Sequence, residues 1–132
     1  MQAAKIFLRF VIAVITLLPA IPSAHAANQQ PFDVRAFQAA QESGKPILVE
    51  IHADWCPTCK AQLPILNKLS SEPVFANLAR FRVDFDTQKN VVKRFGARMQ
   101  STLVLFKGKI ELARSVGETG EDKIRAMLNK AI

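Results

Sequence analysis

Hydrophobic and polar positions along this chain fall into short blocks whose period switches between that of a helix and that of a strand. Asp33 reads as an N-cap, and Val34, Phe37 and Ala40 fall on one side of a helix that stops before Gly44. Ile47-Leu48-Val49-Glu50-Ile51 is an apolar run broken by one acid; short and rich in β-branched residues, it predicts a central strand covered on both faces. From Cys56 to about Leu69 the period is helical, with Leu63, Leu66 and Leu69 on one face and an expected kink at Pro64. Pro73 opens a short helix expected to turn Val74, Phe75 and Leu78 inward. Phe81, Val83 and Phe85 then alternate with Arg82 and Asp84 at strand period.

Val91, Val92 and Phe95 form the inner side of a helix between Thr87 and Gly96. Thr102–Phe106 and Ile110–Ser115 flank the turn Lys107-Gly108-Lys109 as an antiparallel pair. Thr119-Gly120-Glu121-Asp122 has the pattern of a capping box, and it opens a last helix carrying Ile124, Met127 and Leu128. Ala27 to Pro31 reads as a loose lead-in. An α/β fold, with a mixed sheet and helices on both faces, is the simplest architecture that buries these stripes. No internal repeat or long linker divides the chain.

The first residues carry a different pattern. Lys5 and Arg9 precede an apolar run from Phe10 to Leu18, and Pro19, Pro22 and Ser23 lead into Ala24-His25-Ala26. A basic start, a short apolar stretch and an Ala-x-Ala site are the parts of a secretory signal peptide, so residues 1–26 are expected to be cleaved. The alternative is a retained anchor, although the run is well short of the ~20 residues that span a bilayer. Residues 27–132 are then a single domain, exported to the periplasm, a compartment where disulfides persist. The chain is basic, with a net charge of +7, but its Lys and Arg residues are scattered. A nucleic-acid face wants them clustered, so that class of partner is set aside.

Cys56 and Cys59 are the only cysteines, and they sit in Trp55-Cys56-Pro57-Thr58-Cys59-Lys60. With no third thiol to pair with, they form either a reversible dithiol/disulfide or half of a metal site. A structural bridge across so short a loop would constrain the unfolded chain only weakly. If the helix starts at Cys56, its sulfur faces unpaired N–H groups and the positive end of the helix dipole. That placement lowers a cysteine pKa from ~8.5 into the range of about 3.5–7.5. Cys56 is then the nucleophile, and Cys59, nearly a turn further on and expected to be more buried, resolves the mixed disulfide. Pro57 suits the first helical position, where a missing N–H costs nothing. A tetrahedral metal needs four ligands, and no second Cys pair exists; His52 and Asp54 lie on the opposite side of the strand from Ile51 and Ala53. No cofactor is expected.

These residues resemble the thioredoxin superfamily. The likeness covers roughly Gly44 to Ile132. It rests on Gly44-Lys45-Pro46-Ile47-Leu48-Val49-Glu50, on Ala53-Asp54-Trp55-Cys56-Pro57-Thr58-Cys59-Lys60, on Phe95-Gly96-Ala97-Arg98 before Thr102–Lys107, and on Val116-Gly117. Within the superfamily the chain looks most like periplasmic thioredoxin-like proteins and the C-terminal domain of the membrane carrier that feeds reductant to the periplasm. The resemblance implies a thioredoxin-like fold with a four- to five-stranded sheet. It also implies a thiol:disulfide oxidoreductase acting on protein disulfides, with a separate electron donor or acceptor protein. Glu50 matches the buried acid that assists proton transfer at the resolving cysteine, and burial should raise its pKa. Arg82 matches a position where thioredoxins often carry Lys, with the expected role of biasing Glu50 towards its charged form. Trp55, Pro57, Gln100, Ser101 and Thr102 are the implied substrate contacts.

The chain departs from the family at one place. Where the family carries a cis-proline facing the cysteines, this sequence has Ser101, in Met99-Gln100-Ser101-Thr102. A non-proline cis bond costs ~2.5–4 kcal/mol, so a trans peptide is expected here. Pro57-Thr58 between the cysteines resembles the reductive members of the family, which favours a reductant of protein disulfides. Two other readings stand beside it: a non-catalytic binding module on the same fold, and a dimer holding a metal or iron–sulfur cluster between two cysteine pairs.

Overall fold

A computed structural model describes residues 29–132; the leader expected over residues 1–26 lies outside them. Five strands and four helices follow one another as β1 (Gln29–Pro31), α1 (Val34–Glu42), β2 (Pro46–His52), α2 (Pro57–Ser70), β3 (Ala79–Asp84), α3 (Lys89–Arg94), β4 (Thr102–Lys107), β5 (Ile110–Val116) and α4 (Glu121–Leu128). Short 3-10 turns at Pro73–Phe75 and Asn129–Ala131 complete the order. The strands form one sheet in the order β1-β3-β2-β4-β5. β1, β3 and β2 run parallel, while β4 and β5 are antiparallel additions.

β2 is central, and its period-two alternation divides the core. Ile47, Val49 and Ile51 join Phe32, Phe37, Phe81, Val83, Val92, Phe95, Val104 and Phe106 on one face. Leu48 joins Leu66, Leu69, Phe75, Leu78, Leu103, Leu105 and the apolar side of α4 on the other. Phe37 anchors the first layer: the rings of Phe32, Phe81, Phe95 and Phe106 lie 5.4–5.7 Å from its own, three of them edge-on. Asp33 caps α1 through a 2.8 Å bond from the Ala36 N–H, as its sequence predicts.

Four expectations need correction. The described part of the lead-in is not loose, because Gln29–Pro31 pairs in parallel with Arg80–Arg82 and the Phe32 N–H extends the ladder to the Arg82 carbonyl. Its polar residues carry no alternation because an edge strand is held by its backbone. Val74 faces solvent, since the turn after Pro73 directs only Phe75 and Leu78 inward. Thr119 does not cap α4; Gly120 occupies the N-cap position, and the Glu118 carboxylate accepts from the Thr119 and Gly120 N–H groups instead. The period at Phe85 also runs past the strand, which ends at Asp84.

Candidate functional site

The dithiol lies where β2 hands over to α2. Ala53 turns the chain by accepting the Cys56 N–H through its carbonyl at 3.1 Å, and Lys60 N–H closes the first helical bond on the Cys56 carbonyl. Cys56 is thus the N-cap residue, with its backbone extended and Pro57 behind it as the first helical residue. Its sulfur does the work of a cap: the Cys59 N–H donates to Cys56 Sγ at 3.1 Å. That donor and the helix dipole both stabilise negative charge on this sulfur.

The second sulfur is held as a thiol. Burial, helped by its hydrogen bond to Cys56, pushes the Cys59 pKa up to about 11, partly offset by backbone groups of Ala53 and Ser101. Both cysteines are free, and both are only 2% exposed, so Cys59 is not the more buried of the two as expected. Position at the helix end, and not burial, sets them apart. Ala53 and Phe85 pack around the pair.

Trp55 stands outside this pocket, 58% exposed, with its indole N–H donating to Asp86 Oδ2 at 2.7 Å. Asp86 is itself placed by Asp84, whose Oδ1 accepts the Asp86 and Thr87 N–H groups at 2.8 Å each. These bonds, led by Thr87, hold the Asp84 carboxyl below its ordinary range. Pro57 is exposed beside Cys56, so both members of this flank are open to a partner chain. His52 and Asp54 meet at 3.1 Å on the other side of the strand end.

Facing the dithiol is the loop before β4. Ser101 is buried and holds a left-handed backbone at φ 55°, a conformation that costs a non-glycine residue about 1–2 kcal/mol. All peptide bonds among the described residues are trans, as expected for Gln100–Ser101. The Ser101 hydroxyl donates to the Gln100 carbonyl at 2.6 Å and the Thr102 hydroxyl to the Met99 carbonyl at 2.7 Å. Both hydroxyl hydrogens are committed to the loop itself, so neither hydroxyl donates to a substrate while these bonds stand. Gln100 is half-buried at the loop edge.

Glu50 is buried on the central strand as expected, but its partner differs from the sequence reading. Its carboxylate pairs with Arg80 Nε at 2.6 Å, and Gln29 on β1 donates to its other oxygen. Arg80 continues into α2, donating to Asn67 and Ser70. Arg82 is therefore not the partner of Glu50, although the two are aligned across the strands; Arg80, two residues back on the same face, reaches it first. Arg82 Nε is buried without a hydrogen-bond partner.

Sequence reasoning missed Arg80, Gln29, Asp86 and Gln62. Arg80 could have been found, since it is in phase with Arg82 on a strand beside a buried acid. Gln62 also left a trace, as a polar residue three positions after Cys59 on the stripe that continues to Leu66 and Leu69.

Comparison with known proteins bears on this geometry. The family model for thioredoxin matches residues 26–130. The chain belongs to the thioredoxin family. A thioredoxin from Chlamydia muridarum is 32% identical over 64% of this chain and 80% of its own. A thioredoxin H-type from Brassica campestris is 36% identical over 70% and 73% of the two chains. Among solved structures, Trxlp from Edwardsiella tarda EIB202 is similar with a TM-score of 0.75 and 42% identity, covering 76% of this chain and 98% of that one. The five-stranded mixed sheet with flanking helices is the thioredoxin-like fold. With its Cys-x-x-Cys pair in place, this thioredoxin-family chain is a thiol-disulfide oxidoreductase.

Proposed function

We propose that this thioredoxin-family protein is an exported reductant of protein disulfides that works through a mixed disulfide at Cys56. The observation that carries the reading is the asymmetry of the pair: the Cys59 N–H donates to Cys56 Sγ at the helix end, although the two sulfurs are equally withdrawn from water. The Cys56 thiolate attacks one sulfur of a substrate disulfide; a Cys56–substrate bond forms, the substrate S–S bond breaks, and the departing sulfur leaves as thiolate and takes up a proton. Cys59 then loses its proton and attacks Cys56 Sγ. This closes the Cys56–Cys59 disulfide and frees the second substrate thiol. Two electrons pass from the dithiol to the substrate, and a separate dithiol donor protein returns them. Export rests on the basic start, apolar run and Ala24-His25-Ala26 of the leader.

The test is reduction of insulin by the dithiol form. Wild type accelerates chain separation, and Cys56→Ser does not; equal rates for the two would leave only a binding module. Equilibration with glutathione sets the direction, because a potential near about −120 mV would mark an oxidant and reject the reductant assignment. Export is checked by sequencing the N-terminus of the protein recovered outside the cytoplasm, where a start at or near Ala27 is expected.

A further inference from the structure

Gln62 is a buried amide on an otherwise apolar stripe, 4% exposed and one turn along α2 from Cys59. Its Nε2 donates to two backbone carbonyls from different loops, Ser101 at 3.2 Å and Glu118 at 2.9 Å. The Ser101 carbonyl also accepts the Gly117 N–H at 3.0 Å, so the two loops are tied to one another as well as to the helix. Replacing this amide is costly, because the Glu118 carbonyl loses its donor and the Ser101 carbonyl is left with the Gly117 N–H alone.

The left-handed Ser101 needs such a restraint. No proline ring fixes φ here, and the side-chain bonds of Ser101 and Thr102 run only within the loop. Beyond the Thr102 ladder and the Ser101 backbone contact with Cys59, the loop is tied to the fold through the Ser101 carbonyl, which Gln62 links to the same helix that carries both sulfurs.

We propose that Gln62 is a positioning residue that holds the Gln100–Thr102 loop against the dithiol helix so that a polypeptide disulfide docks in line with Cys56 Sγ. The proposal rests on the redox reading above. A polypeptide that docks along the loop backbone is held less tightly when the loop shifts, whereas the attacking sulfur stays where α2 holds it. A small disulfide that needs no loop to dock is indifferent to the tie. Gln62 therefore affects docking of a polypeptide and leaves the reactivity of the sulfur alone.

The experiment compares insulin with dithio-bis-nitrobenzoate as oxidants of the reduced protein, in wild type and Gln62→Met, which keeps length and volume but has no N–H to donate. The expected result is a rise of about tenfold in KM for insulin, with kcat and the rate of the small disulfide within about twofold of wild type. An unchanged KM, or a parallel fall of both reactions, overturns the proposal. Gln62→Glu provides the second reading: its carboxyl donates when protonated and cannot when ionised. The ratio of its insulin KM to that of wild type should rise from roughly pH 5 to 8, and a flat ratio equally overturns the proposal. Failure of the redox reading itself is distinguishable, since wild type would then be inert towards both disulfides.

Discussion

Arg80 Nε lies 2.6 Å from Glu50 Oε1, and both side chains are almost fully withdrawn from water. The acid that the family resemblance assigns to proton transfer is thus engaged in a buried ion pair that ties β2, β3 and α2 together. Removing one partner of such a pair leaves an uncompensated charge, whereas removing both can be nearly neutral. Arg80→Met is expected to lower unfolding stability by about 3–5 kcal/mol, and Glu50→Gln in the same background should recover part of it. Urea melts of the two single variants and the double variant measure the coupling. Additive losses would show that the two groups do not act as a pair.

The raised Cys59 pKa makes the dithiol form sensitive to alkali. In the unfolded chain a thiol titrates near ~8.5, while in the folded chain Cys59 keeps its proton up to about 11. Between those values the folded state binds more protons, so stability falls as pH rises through the window. Thermal melts of the reduced protein should show this decline, and Cys59→Ser should flatten it.

Trp55 is the only tryptophan, so its emission reports on its own surroundings. Asp86→Ala removes the acceptor of the indole N–H and frees the ring. The expected outcome is a change in the emission spectrum together with a several-fold higher KM for insulin, with no change in the small-disulfide rate. An unaltered KM would make the Trp55–Asp86 bond a local prop without a part in docking.

Acid acts on a different set of groups. Glu72 and Glu121 are held below the usual carboxylate range chiefly by hydrogen bonds from Arg125 and Lys68 respectively, and Glu118 by the Gly120 N–H. Each is protonated first in the unfolded chain as pH falls. Their contribution is therefore present above the ordinary carboxylate range of about 4 and lost below it. Stability should be level above about pH 5 and decline modestly below 4, because these surface carboxylates are screened by solvent, with a shallower acid slope in Glu118→Gln.

Elements defined by side-chain period were legible from the residues alone. The Asp33 cap, the Ile47–Ile51 strand, the hairpin around Gly108 and the helix starting at Cys56 all stand where the pattern predicts. β1 was not, because Gln29–Pro31 is defined by its ladder to β3 and carries no apolar signal of its own. The same distinction runs through the site. Cys56, Cys59 and Trp55 announce themselves by spacing, since their chemistry is local. Arg80 and Gln62 act across 30 and 39 residues of chain, on Glu50 and Ser101. Which of two in-phase arginines reaches an acid is decided by packing against α2, and that information is not in the strand period.

The central claim is that Cys56 attacks and Cys59 resolves. The most direct measurement is the reaction of each single-cysteine variant with dithio-bis-nitrobenzoate at neutral pH, with the adduct mapped by mass spectrometry. Cys59→Ser is expected to react quickly and keep a stable adduct on Cys56, while the wild type passes through it to the internal disulfide. Cys56→Ser should react at least about tenfold more slowly, as befits a buried sulfur that holds its proton. Equal rates for the two variants, or faster capture at Cys59, would contradict the assignment.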